Sequence, residues 1–93
     1  MPDAPRWQVE LNTRARRQLR KLDKPTARRV LTAITALERD PRPAPPASLP
    51  LTGHPGLRRL RVGDHRIVYE PRDDTLVVLV VTIGHRREVY DRL

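Results

Sequence analysis

Residues 57–90 read LRRLRVGDHRIVYEPRDDTLVVLVVTIGHRREVY, and the fold turns on how this stretch is parsed. Apolar and cationic residues alternate at first, so Leu60 and Val62 point to one side of a strand while Arg59 and Arg61 point to the other. Gly63-Asp64 suits a two-residue hairpin, because glycine supplies a positive φ without strain and aspartate tolerates one. The chain returns through His65-Arg66-Ile67-Val68-Tyr69, which lets Arg66 lie beside the first arginine pair. Asp73-Asp74 reads as a second turn. Leu76 to Ile83 is too apolar to keep a wet face and reads as the central strand, with Gly84, His85 and Arg86 at its end.

Upstream, Trp7, Val9 and Leu11 alternate with Gln8 and Glu10, the pattern of a short edge strand. Asn12 or Thr13 caps a helix whose apolar positions are Ala15, Leu19 and Leu22. Its remaining positions carry Arg14, Arg16, Arg17, Arg20 and Lys21, so its outer side is cationic. Asp23-Lys24-Pro25 ends that helix and starts a second, with Ala27, Val30, Leu31, Ile34 and Leu37 as its stripe through Glu38. From Asp40 to Pro50 proline recurs, and the segment reads as an extended polyproline-like connector. The expectation is an α+β fold, β-α-α-β-β-β. A helical hairpin packs on one face of a small, mainly antiparallel four-stranded sheet, and Arg86 to Leu93 forms a short helical turn. Residues 1–93 make one domain, with the arginine face left open.

The formal charge of +8 on 93 residues points to a polyanionic partner, and eleven of the nineteen Lys and Arg lie in residues 1–50. No cysteine is present, so disulfides and thiolate metal sites are excluded. No segment approaches the roughly 18 apolar residues of a membrane span, and Met1-Pro2-Asp3-Ala4-Pro5 does not begin a signal peptide. The cytoplasm is the expected location.

The three histidines, His54, His65 and His85, lack ligand spacing, so neither a metal nor another cofactor is expected. Arg59, Arg61 and Arg66 on neighbouring strands would repel one another as a merely solvated face, which favours a functional cluster. His85 and His65 are candidates for moving a proton that arginine cannot give up, against the simpler reading of exposed strand-end histidines. Tyr90 either packs its ring on the sheet edge or acts beside the cations as a base. If the tail is helical, Arg86 and Tyr90 are i, i+4 neighbours. Arg14, Arg17, Arg20 and Lys21 are either a wet helix side or an RNA-binding one.

The element order, LRRLRVGDHRIVY and the terminal IGHRREVY together resemble the RelE/ParE superfamily of toxin–antitoxin toxins over nearly the whole chain. The resemblance implies a cognate antitoxin and one of two activities. The first is metal-independent, ribosome-dependent cleavage of messenger RNA in the A site, which inhibits translation, as in RelE. The second is non-catalytic inhibition of DNA gyrase, as in ParE. RelE-type toxins carry two alternating basic residues before the first hairpin, matched by Arg59 and Arg61, and an arginine opening the next strand, matched by Arg66. They also carry a basic residue after the last strand's glycine, matched by Arg86, and a tyrosine near the C-terminus, matched by Tyr90. Known members have lysines where this chain has Arg59 and Arg61, and arginine does not serve easily as a base. A basic nucleic-acid-binding module without activity is the remaining alternative.

Overall fold

A computed structural model describes residues 6–92. The first five residues, discussed above for a leader, and Leu93, the last of the predicted tail, lie outside the described residues. The elements are β1 (Gln8–Leu11), α1 (Thr13–Lys21), α2 (Lys24–Ala36), β2 (Ser48–Pro50), β3 (Arg58–Val62), β4 (His65–Arg72), β5 (Val77–His85) and a 3-10 turn (Val89–Arg92). Two helices pack on a five-stranded mixed sheet of order β1-β5-β4-β3-β2, in which only β1 and β5 run parallel.

Local signals explain the helix starts. Asn12 accepts a hydrogen bond from the Ala15 N–H at 2.8 Å, and Asp23 from the Thr26 N–H at 3.2 Å, each satisfying an orphan donor of a first turn. Hydrogen bonding from the Thr26 side chain first, and from its backbone N–H second, holds the Asp23 carboxyl below its usual range. The core then forms between helices and sheet from Ala15, Val30, Ile34 and Leu37 above, and Leu60, Ile67, Tyr69, Val78, Val80 and Ile83 below.

Several expectations need correction. The sheet has five strands instead of four, because Ser48–Pro50 pairs antiparallel with β3 and is not part of an extended connector. An outermost strand needs hydrogen bonds on one side only, so Pro50 is tolerated there. The segment before it is anchored: the buried Tyr69 hydroxyl donates to the Pro41 carbonyl at 2.8 Å and lies 2.7 Å from the Ser48 hydroxyl. The second hairpin turns over four residues, Asp73 to Leu76, since Arg72 opposite Val77 is its last pair and Leu76 takes a φ of 54°. A left-handed residue cannot continue a pleat, so β5 starts at Val77 and not at Leu76. In the sheet order β4, not β5, is the middle strand.

The uninterrupted apolar run of β5 also has a cause. The register slips between Val68 opposite Thr82 and Tyr69 opposite Val80, leaving Val81 unpaired as a bulge. Strand parity reverses there, so Val78, Val80 and Ile83 all face the helices despite their spacing. On α2 the buried stripe is Thr26, Val30, Ile34 and Leu37, while Leu31 is 45% exposed. The helix ends at Ala36, and Leu37 to Arg39 continue as a turn, with Glu38 N–H donating to the Thr35 carbonyl at 3.0 Å.

One ion pair tethers the connector to the second hairpin: Arg42 meets both oxygens of Asp73 at 3.0 and 2.7 Å. Hydrogen bonding to Arg42 holds the Asp73 carboxyl below its ordinary 3.8. A depressed carboxyl contributes stability above its unfolded value and loses it as pH falls through the folded one. Asp73→Asn should therefore melt slightly below the parent at neutral pH. The gap should close in acid below 3.8, as followed by thermal unfolding at the two pH values.

Candidate functional site

In antiparallel strands, residues opposite in register share a face. Arg61 lies opposite Arg66, and Arg66 opposite Gly84. Two pairs along the sheet, Arg59 lies opposite Val68, and Val68 opposite Thr82. Leu60, Ile67 and Ile83, which alternate with these residues, belong to the core under the helices. Arg59, Arg61 and Arg66 therefore occupy the opposite, outer face, and two of them are directly opposed like charges, an arrangement that lowers stability.

The three guanidinium groups are held differently. Arg61 is exposed, and its guanidinium makes no hydrogen bond among the described residues, while its backbone N–H donates to the Ala47 carbonyl at 2.8 Å. Arg66 is half-buried, and its Nη1 donates to the Gly63 and His65 carbonyls, both at 3.0 Å, which pins it over the first hairpin. Gly63 turns that hairpin with a φ of 58°. Arg59 is half-buried, and its Nη1 is shut off from solvent with no hydrogen-bond partner among the described residues. An enclosed donor without an acceptor is unfavourable, and that cost disappears when an anionic oxygen reaches it.

The tail closes over the same end of the sheet. Arg86 N–H donates to the Asp64 carbonyl at 2.9 Å, tying the exit of β5 to the turn that carries Arg66. Glu88 N–H then donates to the His85 carbonyl at 2.8 Å, and the 3-10 turn packs on β4 and β5. Val89 is 2% exposed and sits against Gly84: a Cβ at Gly84 would lie 3.5 Å from it. Gly84 shares the face of Arg66, so the tail crosses the sheet on the arginine side. Tyr90, the next residue, is 40% exposed. Arg61, Arg66 and the backbone at Arg86 and Tyr90 thus lie at one end of the sheet, with Arg59 two pairs away. Arg86 and Tyr90 are not on a common α-helix, since the tail runs as a turn and a 3-10 segment.

His85 is not among them. It lies opposite His65 and alternates with Gly84, so it shares the side of Ile83. The two imidazoles meet edge to face, with centroids 6.0 Å apart and planes at 76°. They border a cleft of ≈ 320 Å³ at the open edge of β5, beyond the reach of β1. Arg14, Arg17 and Arg20 are exposed on α1 and form a separate cationic surface, while Lys21 stands at the rim of the cleft.

Gln18 is the structural residue that the sequence reading missed. Its Oε1 accepts from the Ile83 N–H at 2.6 Å and its Nε2 donates to the Thr82 hydroxyl at 3.0 Å, so α1 caps β5 where β1 ends. The signal was present: Gln18 falls within the Ala15, Leu19, Leu22 stripe, the one uncharged polar residue among cations. Among the described residues, no three His, Cys, Asp or Glu side chains converge as a metal site would need, and no helix is long and apolar enough to cross a membrane.

Comparisons with known proteins agree with this architecture. The family model described as the ParE toxin of type II toxin–antitoxin systems, parDE, matches residues 9–90. No curated protein matches the chain significantly by sequence. Among solved structures, the RelE–RelB complex of Pyrococcus horikoshii is similar at 26% identity and a TM-score of 0.75, covering 86% of this chain and 94% of that one. The toxin–antitoxin complex RelBE2 of Mycobacterium tuberculosis is similar at 29% identity and a TM-score of 0.74, covering 87% and 99%. The isolated RelE toxin of E. coli shares the fold at 23% identity and a TM-score of 0.73, covering 85% and 83%.

Proposed function

We propose that this chain, which belongs to the ParE toxin family of type II toxin–antitoxin systems, acts in the RelE manner, as a ribosome-dependent endoribonuclease that cuts messenger RNA in the A site. The observation that carries this reading is the directly opposed pair Arg61 and Arg66, placed by register next to the turn that bears Arg86 and Tyr90. The likeness to RelE structures supports the same choice.

RNA carries its own nucleophile. The 2′-oxygen bonds to the adjacent phosphorus and the bond from phosphorus to the 5′-oxygen breaks, leaving a 2′,3′-cyclic phosphate and a 5′-hydroxyl. One proton leaves the 2′-hydroxyl and one arrives at the 5′-oxygen. No metal is required if fixed cations hold the strand in line and balance the charge that builds on the phosphoryl oxygens. Arg59, Arg61, Arg66 and Arg86 supply those cations, and Arg59 Nη1 is the donor most in need of an oxygen. Arginine stays protonated, so Tyr90 is assigned the proton transfer at the 2′-hydroxyl, and solvent water delivers the proton taken up by the leaving 5′-oxygen. Arg14, Arg17, Arg20 and Lys21 bind the ribosomal RNA backbone from the helical side.

The Pyrococcus horikoshii and Mycobacterium tuberculosis relatives are complexes with an antitoxin, which supports a cognate antitoxin for this chain, acting in the cytoplasm. The family's parDE description favours a second reading, inhibition of DNA gyrase without catalysis. The two separate cleanly. In a translating extract the purified protein should yield message with new 5′-hydroxyl ends at A-site codons, and Arg86→Ala should abolish them. Intact message at saturating protein, together with blocked supercoiling that survives Tyr90→Phe, would establish the gyrase reading in its place.

A further inference from the structure

Beyond Val80 the last strand loses its neighbour on one side. β1 ends at Leu11 opposite Val80, the Asn12 N–H donates to the Val80 carbonyl at 3.1 Å, and the chain then turns away into α1. Thr82, Ile83, Gly84 and His85 pair with β4 but, among the described residues, have no strand on their other edge. Two features loosen this segment further. The bulge at Val81 breaks the ladder just before it, and Gly84 within it adds backbone freedom. A half-paired strand end of this kind frays unless something else ties it down. Its placement matters, because Arg86 follows Ile83 by three residues and hangs on the Asp64 carbonyl by its own N–H at 2.9 Å.

Gln18 supplies the tie. Its Oε1 serves the Ile83 N–H as a strand carbonyl would, at 2.6 Å, while its Nε2 donates to the Thr82 hydroxyl at 3.0 Å. Thr82 and Ile83 are both buried, so water cannot take over these bonds without opening the packing. Gln18 is half-buried between α1 and β5, whereas Arg14, Arg17 and Arg20 of the same helix are exposed.

From these features we infer that Gln18 is a positioning residue for the arginine site. It holds the end of β5, and with it the turn that presents Arg86, in the geometry that cleavage requires. Gln18 touches no substrate and acts only through the backbone of β5. The inference rests on the nuclease reading and deepens it, by tying α1 to a cation that acts on the phosphate. A misplacement of about 1 Å in such a group costs up to about 10²-fold in rate. Loss of the amide should therefore lower the maximal rate and leave half-saturation alone, since the cations that bind RNA are retained.

The test compares the full-length protein with Gln18→Leu, which keeps the bulk and loses both bonds, and Gln18→Glu, whose carboxylate accepts from the Ile83 N–H and the Thr82 hydroxyl. Ile34→Val, a core change on α2, controls for lost stability. Backbone amide exchange at Ile83 and Arg86, measured relative to Ile67, should speed up in Gln18→Leu and stay parental in Ile34→Val. Single-turnover cleavage on programmed ribosomes should fall about tenfold at saturation in Gln18→Leu, with half-saturation within about twofold of parent. Gln18→Glu should restore both exchange and rate. Parental exchange at Arg86 in Gln18→Leu, a saturating rate within about twofold of parent, a rate loss matched by Ile34→Val, or no rescue by Gln18→Glu would each overturn the inference. If the parent protein cuts no message, the nuclease reading falls by itself, and faster exchange at Arg86 in Gln18→Leu still upholds the placement of that turn by Gln18.

Discussion

Arg66→Ala is expected to slow single-turnover message cleavage on programmed ribosomes by about 10²–10³-fold, the usual loss when one preorganised charge partner of a transition state is removed. Arg66 is chosen because it is the most constrained of the four cations. Its Nη1 is spent on the Gly63 and His65 carbonyls, which fixes the plane of the guanidinium before substrate arrives. Preorganisation of this kind is why a single removal costs so much. Stability should hardly change. The two hydrogen bonds lost to partly exposed carbonyls are offset by relief of the repulsion from Arg61 directly opposite. Arg66→Lys keeps the charge and loses the planar fork, so it should fall between parent and alanine. Cleavage within a few-fold of parent in the alanine variant would mean that the arginine row does not handle the scissile phosphate.

The largest expected effect on stability is that of Ile67→Ala. Ile67 is fully buried in the middle strand, opposite both Leu60 and Ile83, and those three form the layer on which the helices rest. Truncating it removes apolar contacts and leaves a cavity that the flanking strands cannot close, at a cost of about 2–5 kcal/mol. Domains of this size are stable by roughly 5–15 kcal/mol, so the variant should unfold at a markedly lower urea concentration with an unchanged slope. Because Ile67 follows Arg66, the variant should also lose activity through its unfolded fraction, and recover it when the antitoxin-free protein is assayed in the cold. A midpoint shift corresponding to less than about 1 kcal/mol would show that this layer is not the core.

Where sequence and structure agree, the cause is local. Gly63-Asp64 turned where the residues said it would, since a two-residue hairpin needs the positive φ that glycine adopts freely. Asn12 and Asp23 start their helices through bonds to residues three positions on. The side of Arg59 and Arg61 followed from period-two alternation alone. Where they part, the cause lies at a distance. Ser48–Pro50 is a strand because β3 offers it an edge, and Pro41 is held by a tyrosine hydroxyl from β4; nothing within residues 40–50 announces either. Leu31 fits a helical stripe by spacing but remains 45% exposed, at an open cleft it lines with Leu11 and Leu19 at the edge of the core. The bulge at Val81 was hidden because valine reads the same on either face.

The sequence alone determined the number of helices, the first hairpin, the cationic strand face and the absence of thiolate chemistry, all of which depend on residue type and on neighbours a few positions away. Only the tertiary structure decided that Arg61 stands opposite Arg66 and that the tail crosses the arginine side over Gly84. Only it put His85 around the strand end with His65, and closed the edge of β5 with Gln18. Those are pairings between segments remote in the chain. They depend on register, bulge and strand order, which arise when separate elements compete to bury the same apolar surface.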